Sequence, residues 1–422
     1  SISLAWILIL EGILSFTVDG LDKWLPGQLM SLISENSSGD ISYTYALVGS
    51  AIYLALFGLT KAIRYPEPVS AIKLGLAPAS KTPDLMPAHF IQPATTSTPW
   101  ATGNLELPQS VNYAGNDISI DKFFTDTKTN AFLVIKDGKL VYEKYFNGHG
   151  KDTLLPTYSV AKTLTSIMIG QLISAGKLKE SDTFVSILPE YKVGTDFDKV
   201  TIRDLLDMNS GIGVSDNYPT GPSGWGVGIA QLYASTDIPW WLHHNQKMWE
   251  KPGTKPEYRS VNTQLLGMVI KKLVGTTVSE YFQKNVWQPI GAQNQAKWNV
   301  DHVGGIEKTF CCFNATARDF ARVGQLFVNN GAANIGGPSV ISASYLKRMT
   351  TPAVTLDYGW GYGAQTWHPF PDTTLLLGLH GQYIYVQPKD HVVVVKLSDL
   401  PTSADGISSK ILPVLQQIAS SI

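Results

Sequence analysis

The sequence predicts a mixed α/β (α+β) domain: one antiparallel sheet flanked by terminal helices, with an inserted helical subdomain. Three observations carry this. Strand signals stand at both ends of residues 118–422, helical periodicity fills the stretch between them, and an amphipathic helical pattern closes the chain. Hydrophobic helices are expected ahead of this domain, so the chain divides into 1–64, a linker over 65–117, and the domain proper over 118–422.

Residues 1–18 are apolar but carry Glu11, and Ile41 to Thr60 contains no charged residue. The second run is long enough to span a bilayer as a helix. Tyr43 and Tyr45 near one end, with Lys61 and Arg64 past the other, fit interfacial anchors. The alternative is a pair of buried core helices. Residues 1–64 are expected to anchor the protein in a membrane. Lys61, Arg64, Lys73 and Lys81 favour a cytoplasmic side for the chain beyond residue 60, and the extracytoplasmic side stays open. From 65 to 117 the composition turns to Pro, Ala, Ser and Thr, as in a linker or an extended wrap over a domain surface.

Ser119 to Asp126 has the pattern of a short amphipathic helix. Ala131 to Phe146 predicts two strands around an Asp137-Gly138 turn, because that dipeptide tolerates the backbone a tight hairpin needs. From Ser159, apolar residues recur at Val160, Leu164, Ile167, Met168, Leu172 and Ile173, a helix that runs out at Ala175-Gly176. Residues 180–335 are helical and loop-rich, with clear helices beginning near Val200 and Ala315. Leu375 to Gln387 and His391 to Lys396 predict strands on either side of a Pro388-Lys389-Asp390 turn. Ile407 to Ile422 closes as an amphipathic helix.

Composition removes several functions. Hydrophobic residues make up 44% and charged residues 16%, enough apolar material for a large core. The net charge is −1 and Lys and Arg are scattered, so nothing supports a nucleic-acid partner. The eight histidines show no H-E-x-x-H or H-x-H spacing, and no metal or cofactor is implied. Cys311 and Cys312 are expected as two small buried hydrophobes, since neighbouring cysteines bridge only with strain.

Five Ser-x-x-Lys patterns occur. Ser70/Lys73 falls in the linker, where no helix is signalled. Ser119/Lys122 sits on a solvated face, Ser174/Lys177 straddles a helix end, and Ser344/Lys347 lies in a short surface helix. Ser159/Lys162 alone opens a long apolar helix, where free N–H groups and the helix dipole favour negative charge. Positions i and i+3 share a face, so the Lys162 amine can take the Ser159 proton. Apolar neighbours desolvate Lys162, lower its pKa and leave a fraction neutral as base. Tyr258 is the candidate partner in proton transfer, delivered by a Pro252-Gly253 loop to the start of another apolar helix. Trp225, Trp240 and Trp241 wall an apolar cleft or belong to the core.

These residues resemble the serine β-lactamase and penicillin-binding-protein-like hydrolases over about 118–400. Ser159-x-x-Lys162 is similar to the nucleophile motif of that family. Val200 to Ile212 resembles its helix-plus-loop signature ending in Ser-Gly, here Ser210-Gly211. Tyr258-x-Ser260-x-Asn262 resembles the tyrosine motif of the class C and esterase branch, and Ala315 to Gly324 is similar to another of its segments. Two departures matter: Ser260 stands where class C enzymes carry Asn, and no Lys-Thr-Gly or Lys-Ser-Gly is present. The matching strand carries His380-Gly381-Gln382, a form closer to 6-aminohexanoate-dimer hydrolases and related esterases. The resemblance implies an amide- or ester-cleaving serine hydrolase acting on a small molecule. It makes the Gln382 N–H the second oxyanion donor, puts Ser260 near Tyr258 and Lys162, with a plain loop or helix-cap serine as the alternative, and has His380 either line the pocket or pack at the strand end. A D-alanyl-D-alanine carboxypeptidase or class C-like β-lactamase is the alternative, and an inactive membrane-tethered binding protein is another.

Overall fold

The computed structural model describes residues 43–216, 228–401 and 406–422. Its contacts divide the chain into two compact units. The first ends at Leu76 and takes in Ala234–Asp237; Ala77–Tyr233 and Ile238–Ile422 form the second.

In the first unit, helix α1 (Tyr43–Ala62) is followed by α2 (Pro68–Leu76). The bilayer-spanning helix expected over 41–60 needs correction. The helix is there, but Tyr, Thr, Ser and Gly dilute its apolar character. Among the described residues no helix is long and apolar enough to cross a membrane. The apolar run 1–18 lies outside the described residues. A second correction concerns Ser70/Lys73, which sits in α2 and not in an unstructured linker. Glu67 caps that helix, accepting from the Val69 N–H at 3.0 Å, the Ser70 N–H at 2.9 Å and the Ser70 hydroxyl at 2.5 Å.

The second unit begins with the segment expected as linker. A 3-10 turn at Ala79–Asp84 leads into β1 (Ala88–Ile91) and β2 (Ala101–Thr102), then the hairpin β3 (Ser110–Tyr113) and β4 (Asn116–Ser119). Ser119 caps α3 (Ile120–Asp126) by accepting from the Lys122 N–H. The Lys122 amine turns outward to Asp126.

The predicted hairpin forms from β5 (Thr129–Lys136) and β6 (Lys139–Tyr145). Its turn holds Asp137 at φ 50° and Gly138 at φ 73°, the left-handed pair a two-residue connection requires. Next come β7 (Leu155–Pro156), α4 (Val160–Ser174), α5 (Ile202–Leu206) and α6 (Ser260–Val274). Thr201 and Asp204 form a capping box on α5, and Gly275 in the left-handed region ends α6. Then β8 (Ala296–Asn299) and β9 (Phe313–Ala315) precede α7 (Ala317–Val328), capped by Thr316. The chain ends with β10 (Val354–Thr355), β11 (Gly361–Gly363), β12 (Thr366–His368), β13 (Thr374–Gly378), β14 (Gln382–Gln387), β15 (Val392–Ser398) and α8 (Ile407–Ser420).

Among the described residues, the main sheet has nine strands in the order β10-β11-β12-β13-β14-β15-β5-β6-β2. Its pairs are antiparallel except β2 with β6. A smaller sheet runs β1-β8-β9-β7, so the segment after Ala77 is built into the domain. Both faces of the central strands are covered. Leu133, Ile135, Ile384, Val393 and Val395 pack with α4 and α7 on one side. Phe132, Val134, Tyr383, Val392 and Val394 pack with α8 on the other. Two covered faces explain why these strands are apolar runs without alternation.

Cys311 and Cys312, expected as unlinked hydrophobes, are joined by a disulfide. Both are buried, and Cys312 adopts φ 69°, which places the neighbouring side chains within bonding reach. Trp241 is buried in the core and Trp240 stacks on His244, while Trp225 lies outside the described residues.

Candidate active site

Ser159 stands at the N-cap of α4, where the backbone is held from three sides. The Thr157 N–H and hydroxyl both donate to the Phe313 carbonyl of β9, at 3.1 Å and 2.7 Å. Val160 N–H donates to Thr157 O and Ala161 N–H to Tyr158 O, closing the first turn around the serine. Tyr158 itself lies at φ 47°. On the open side, β13 presses in: a Cβ on Gly378 would lie 2.0 Å from Thr157 O. Only glycine fits that approach.

The Lys162 amine is 2.9 Å from Ser159 Oγ and 2.9 Å from the Phe310 carbonyl. It is 1% exposed, and burial lowers its pKa to about 7, opposed by the carboxylate of Asp216. A large fraction is therefore neutral near pH 7, as a base requires. The rings of Tyr258 and Phe310 lie 4.9 Å and 5.7 Å from the amine. Tyr258 is fixed by stacking on Trp367 at 5.4 Å and by the edge of Tyr362.

Ser260 opens α6 beside this group. Its N–H and hydroxyl both donate to Asp216, at 2.8 Å and 2.5 Å. Burial raises the pKa of Asp216, while Lys162, Ser260 and Arg259 oppose the rise. Ser210 donates to Asn262 Oδ1 at 2.6 Å, tying the Ser210-Gly211 loop to α6.

His380 and Gly381, at φ 64° and 80°, turn the chain from β13 into β14. The His380 ring packs against Tyr158 at 4.7 Å and its Nδ1–H donates to Leu400 O at 2.6 Å. Burial holds its pKa below the ordinary histidine value. The Gln382 side chain binds the carbonyls of His380 and Ser398 and accepts from the Ser398 N–H. Its backbone pairs across the turn with Gly378, the residue that abuts Thr157.

Ser159, Lys162, Tyr258 and Ser260 thus converge, with the Gly378–Gln382 turn beside them. Sequence reasoning missed Asp216, the Phe310 carbonyl and the left-handed backbone of Tyr158. Asp216 sits in a polar loop without periodicity, and a backbone carbonyl has no side-chain signature. Among the described residues, no group of three or more His, Cys, Asp or Glu could hold a metal ion.

Comparison with known proteins agrees with this fold. The beta-lactamase family model matches residues 122–412. The 6-aminohexanoate-dimer hydrolase of Paenarthrobacter ureafaciens is 26% identical over 303 residues, covering 67% of this chain and 75% of that protein. An Escherichia coli (strain K12) protein provisionally assigned as a D-alanyl-D-alanine carboxypeptidase is 22% identical over 342 residues, covering 64% and 78%. Among solved structures, a Bacillus anthracis protein provisionally assigned as a 6-aminohexanoate-dimer hydrolase superposes with a TM-score of 0.73 at 24% identity, covering 84% of this chain and 95% of that one. The hydrolase EstCE1 gives 0.58 at 15% identity, covering 71% and 96%. With its Ser-x-x-Lys group on this fold, the chain belongs to the beta-lactamase family and is a serine hydrolase.

Proposed function

We propose that the enzyme cleaves a small amide or ester through an acyl-enzyme on Ser159. The observation that carries this reading is the 2.9 Å contact between Ser159 Oγ and a buried Lys162 amine whose pKa is lowered to about 7. Neutral Lys162 takes the hydroxyl proton as Ser159 attacks the carbonyl carbon. The ammonium then forms against the Phe310 carbonyl, with the Asp216 carboxylate nearby to favour the charge. Tyr258 gives its proton to the leaving nitrogen or oxygen and takes the one held on Lys162, so both groups return to their starting forms, and water releases the acyl group by the reverse route. The Ser159 and Gln382 N–H groups hold the oxyanion, a contribution of about 3–4 kcal/mol per donor to the barrier in comparable sites. Gly381 turns the chain there, and Ser260 holds Asp216, the carboxylate that favours the Lys162 charge.

A linear amide of the 6-aminohexanoate-dimer type is the preferred substrate class, on the likeness to that relative. The carboxypeptidase or β-lactamase reading is disfavoured, since no lysine stands on the strand edging the site. An inactive binding role is disfavoured by the assembled Ser, Lys and Tyr group. Ser159→Ala is expected to abolish p-nitrophenyl ester hydrolysis and labelling by a fluorophosphonate, and full retained hydrolysis would refute the assignment. Acylation by a fluorescent penicillin at Ser159 would move the substrate to the carboxypeptidase class.

Attachment to a membrane through α1 is part of this proposal. Ile52, Leu54, Leu56, Phe57 and Leu59 are exposed on it and Ile63 just past it, with Lys61 in its last turn and Arg64 beyond its end. Such a surface suits lipid. Co-flotation with vesicles, lost on Leu54→Glu with Leu59→Glu, tests it.

A further inference from the structure

We propose that Thr82, on the 3-10 turn Ala79–Asp84, is a positioning residue for the nucleophile and acts through Tyr158. The proposal rests on Ser159 being the nucleophile and concerns what aims it.

Tyr158 immediately precedes Ser159 and holds φ 47°. An aromatic residue in that region costs about 1–2 kcal/mol and persists only where its surroundings over-determine it. Part of the restraint is backbone: Ala161 N–H donates to Tyr158 O, and Thr157 is clamped to Phe313 O. The rest is the side chain. The Tyr158 ring lies against His380, and its buried hydroxyl lies 3.1 Å from Thr82 Oγ1. Thr82 gives its own proton to Ala79 O at 2.9 Å, so Tyr158 is the donor to Thr82. The Tyr233 hydroxyl bonds to the same pair.

A positioning contact must itself be fixed, and this turn is. Ser80 donates from both N–H and Oγ to Asp399, each at 2.7 Å. Asn299 Nδ2 donates to Pro83 O at 3.0 Å, Lys297 pairs with Asp84 at 2.6 Å, and β1 continues into the sheet beside β8. Thr82 therefore holds the far end of the Tyr158 side chain at a set point relative to β8 and the end of β15. Rotation at Tyr158 would swing Ser159 Oγ away from the Lys162 amine, and misplacement by about 1 Å costs on the order of a hundredfold in rate.

The test uses the full-length protein and a p-nitrophenyl ester. Thr82→Val is expected to lower kcat about tenfold with KM within about twofold, to slow fluorophosphonate labelling to the same extent, and to leave the acid limb of the pH profile in place. Thr82→Ser is expected to recover the rate. Tyr158→Phe should match Thr82→Val, and the double variant should lose little more than either alone, because both remove the Tyr158–Thr82 contact. A Thr82→Val protein with unchanged kcat and only a lowered Tm, or losses that add, overturns the proposal. If Thr82→Val does not fold, Ser80→Ala loosens the same turn: a smaller kcat loss supports the proposal and an unchanged kcat overturns it. Retained hydrolysis in Ser159→Ala would remove the nucleophile reading itself, whereas an inactive Ser159→Ala beside a fully active Thr82→Val removes only this inference.

Discussion

At the scale of single residues, the site depends on one buried amine. Lys162 serves as base only when neutral, and burial lowers its pKa to about 7. Protonation on the acid side removes the base, so kcat/KM is expected to rise with pH through about 7 and then level. Asp216 favours the ammonium and opposes the lowering. Asp216→Asn is therefore expected to move the limb to lower pH by roughly half a unit to one unit, read from a kcat/KM profile. A shift to higher pH would contradict the assigned polarity of the pair. Tyr258→Phe keeps the ring beside the amine and removes the hydroxyl. It should lower kcat about a hundredfold at unchanged limb position. The nucleophile and base were legible because their i, i+3 spacing and helix-start context are local. Asp216 was not, since the burial that gives it a role comes from α6, whose Ser260 lies far along the chain.

At the scale of elements, two glycines separate aiming from packing. Gly378 lets β13 approach the nucleophile turn, where a Cβ would lie 2.0 Å from Thr157 O. Gly170 lies on α4 away from Ser159, where a Cβ would lie 2.1 Å from the Tyr345 ring. Each alanine is expected to destabilise by about 1–3 kcal/mol, seen as a lower Tm. Gly378→Ala should also lower kcat, because the strand that moves is the one edging the site. Gly170→Ala should leave kcat per folded molecule unchanged. The hairpin at Asp137-Gly138, the α4 helix, the C-terminal strands and α8 were legible from turn residues and periodicity. Those signals act over a few residues, as do the caps at Thr201 and Thr316. The β1 strand was not legible. Its only reason to be extended is β8, some two hundred residues away, and its Pro- and Thr-rich flanks look like linker. The Cys311–Cys312 bridge was missed for the same reason, because the left-handed backbone at Cys312 that allows it is set by the surrounding loop and not by cysteine spacing.

At the scale of the molecule, the boundary that matters for catalysis lies at Ala77 and not at the composition shift near 118. Residues from Ala77 onward belong to the unit that holds Ser159, and the first of them form the turn that meets Tyr158. The residues grouped around Ser159, namely Lys162, Asp216, Tyr258, Ser260 and Phe310, all belong to that unit. Two deletions therefore have opposite outcomes. Removing residues 1–76 is expected to leave ester hydrolysis within about threefold of the full chain, since the second unit keeps its own core. Removing residues 1–87 takes away Ser80, Thr82 and Pro83, which are partners of the Asp399 carboxylate and the Asn299 amide, and leaves the Tyr158 hydroxyl with Tyr233 but without Thr82. Stranding a buried polar group such as the Asn299 amide costs about 1–3 kcal/mol, so that protein should melt several degrees lower. It should also turn over at least about tenfold more slowly at temperatures where it is still folded. Steady-state kinetics on both truncations, with circular dichroism melts to establish the folded fraction, check this. Equal activity in the two would mean that the turn before β1 only covers the domain and does not aim the serine.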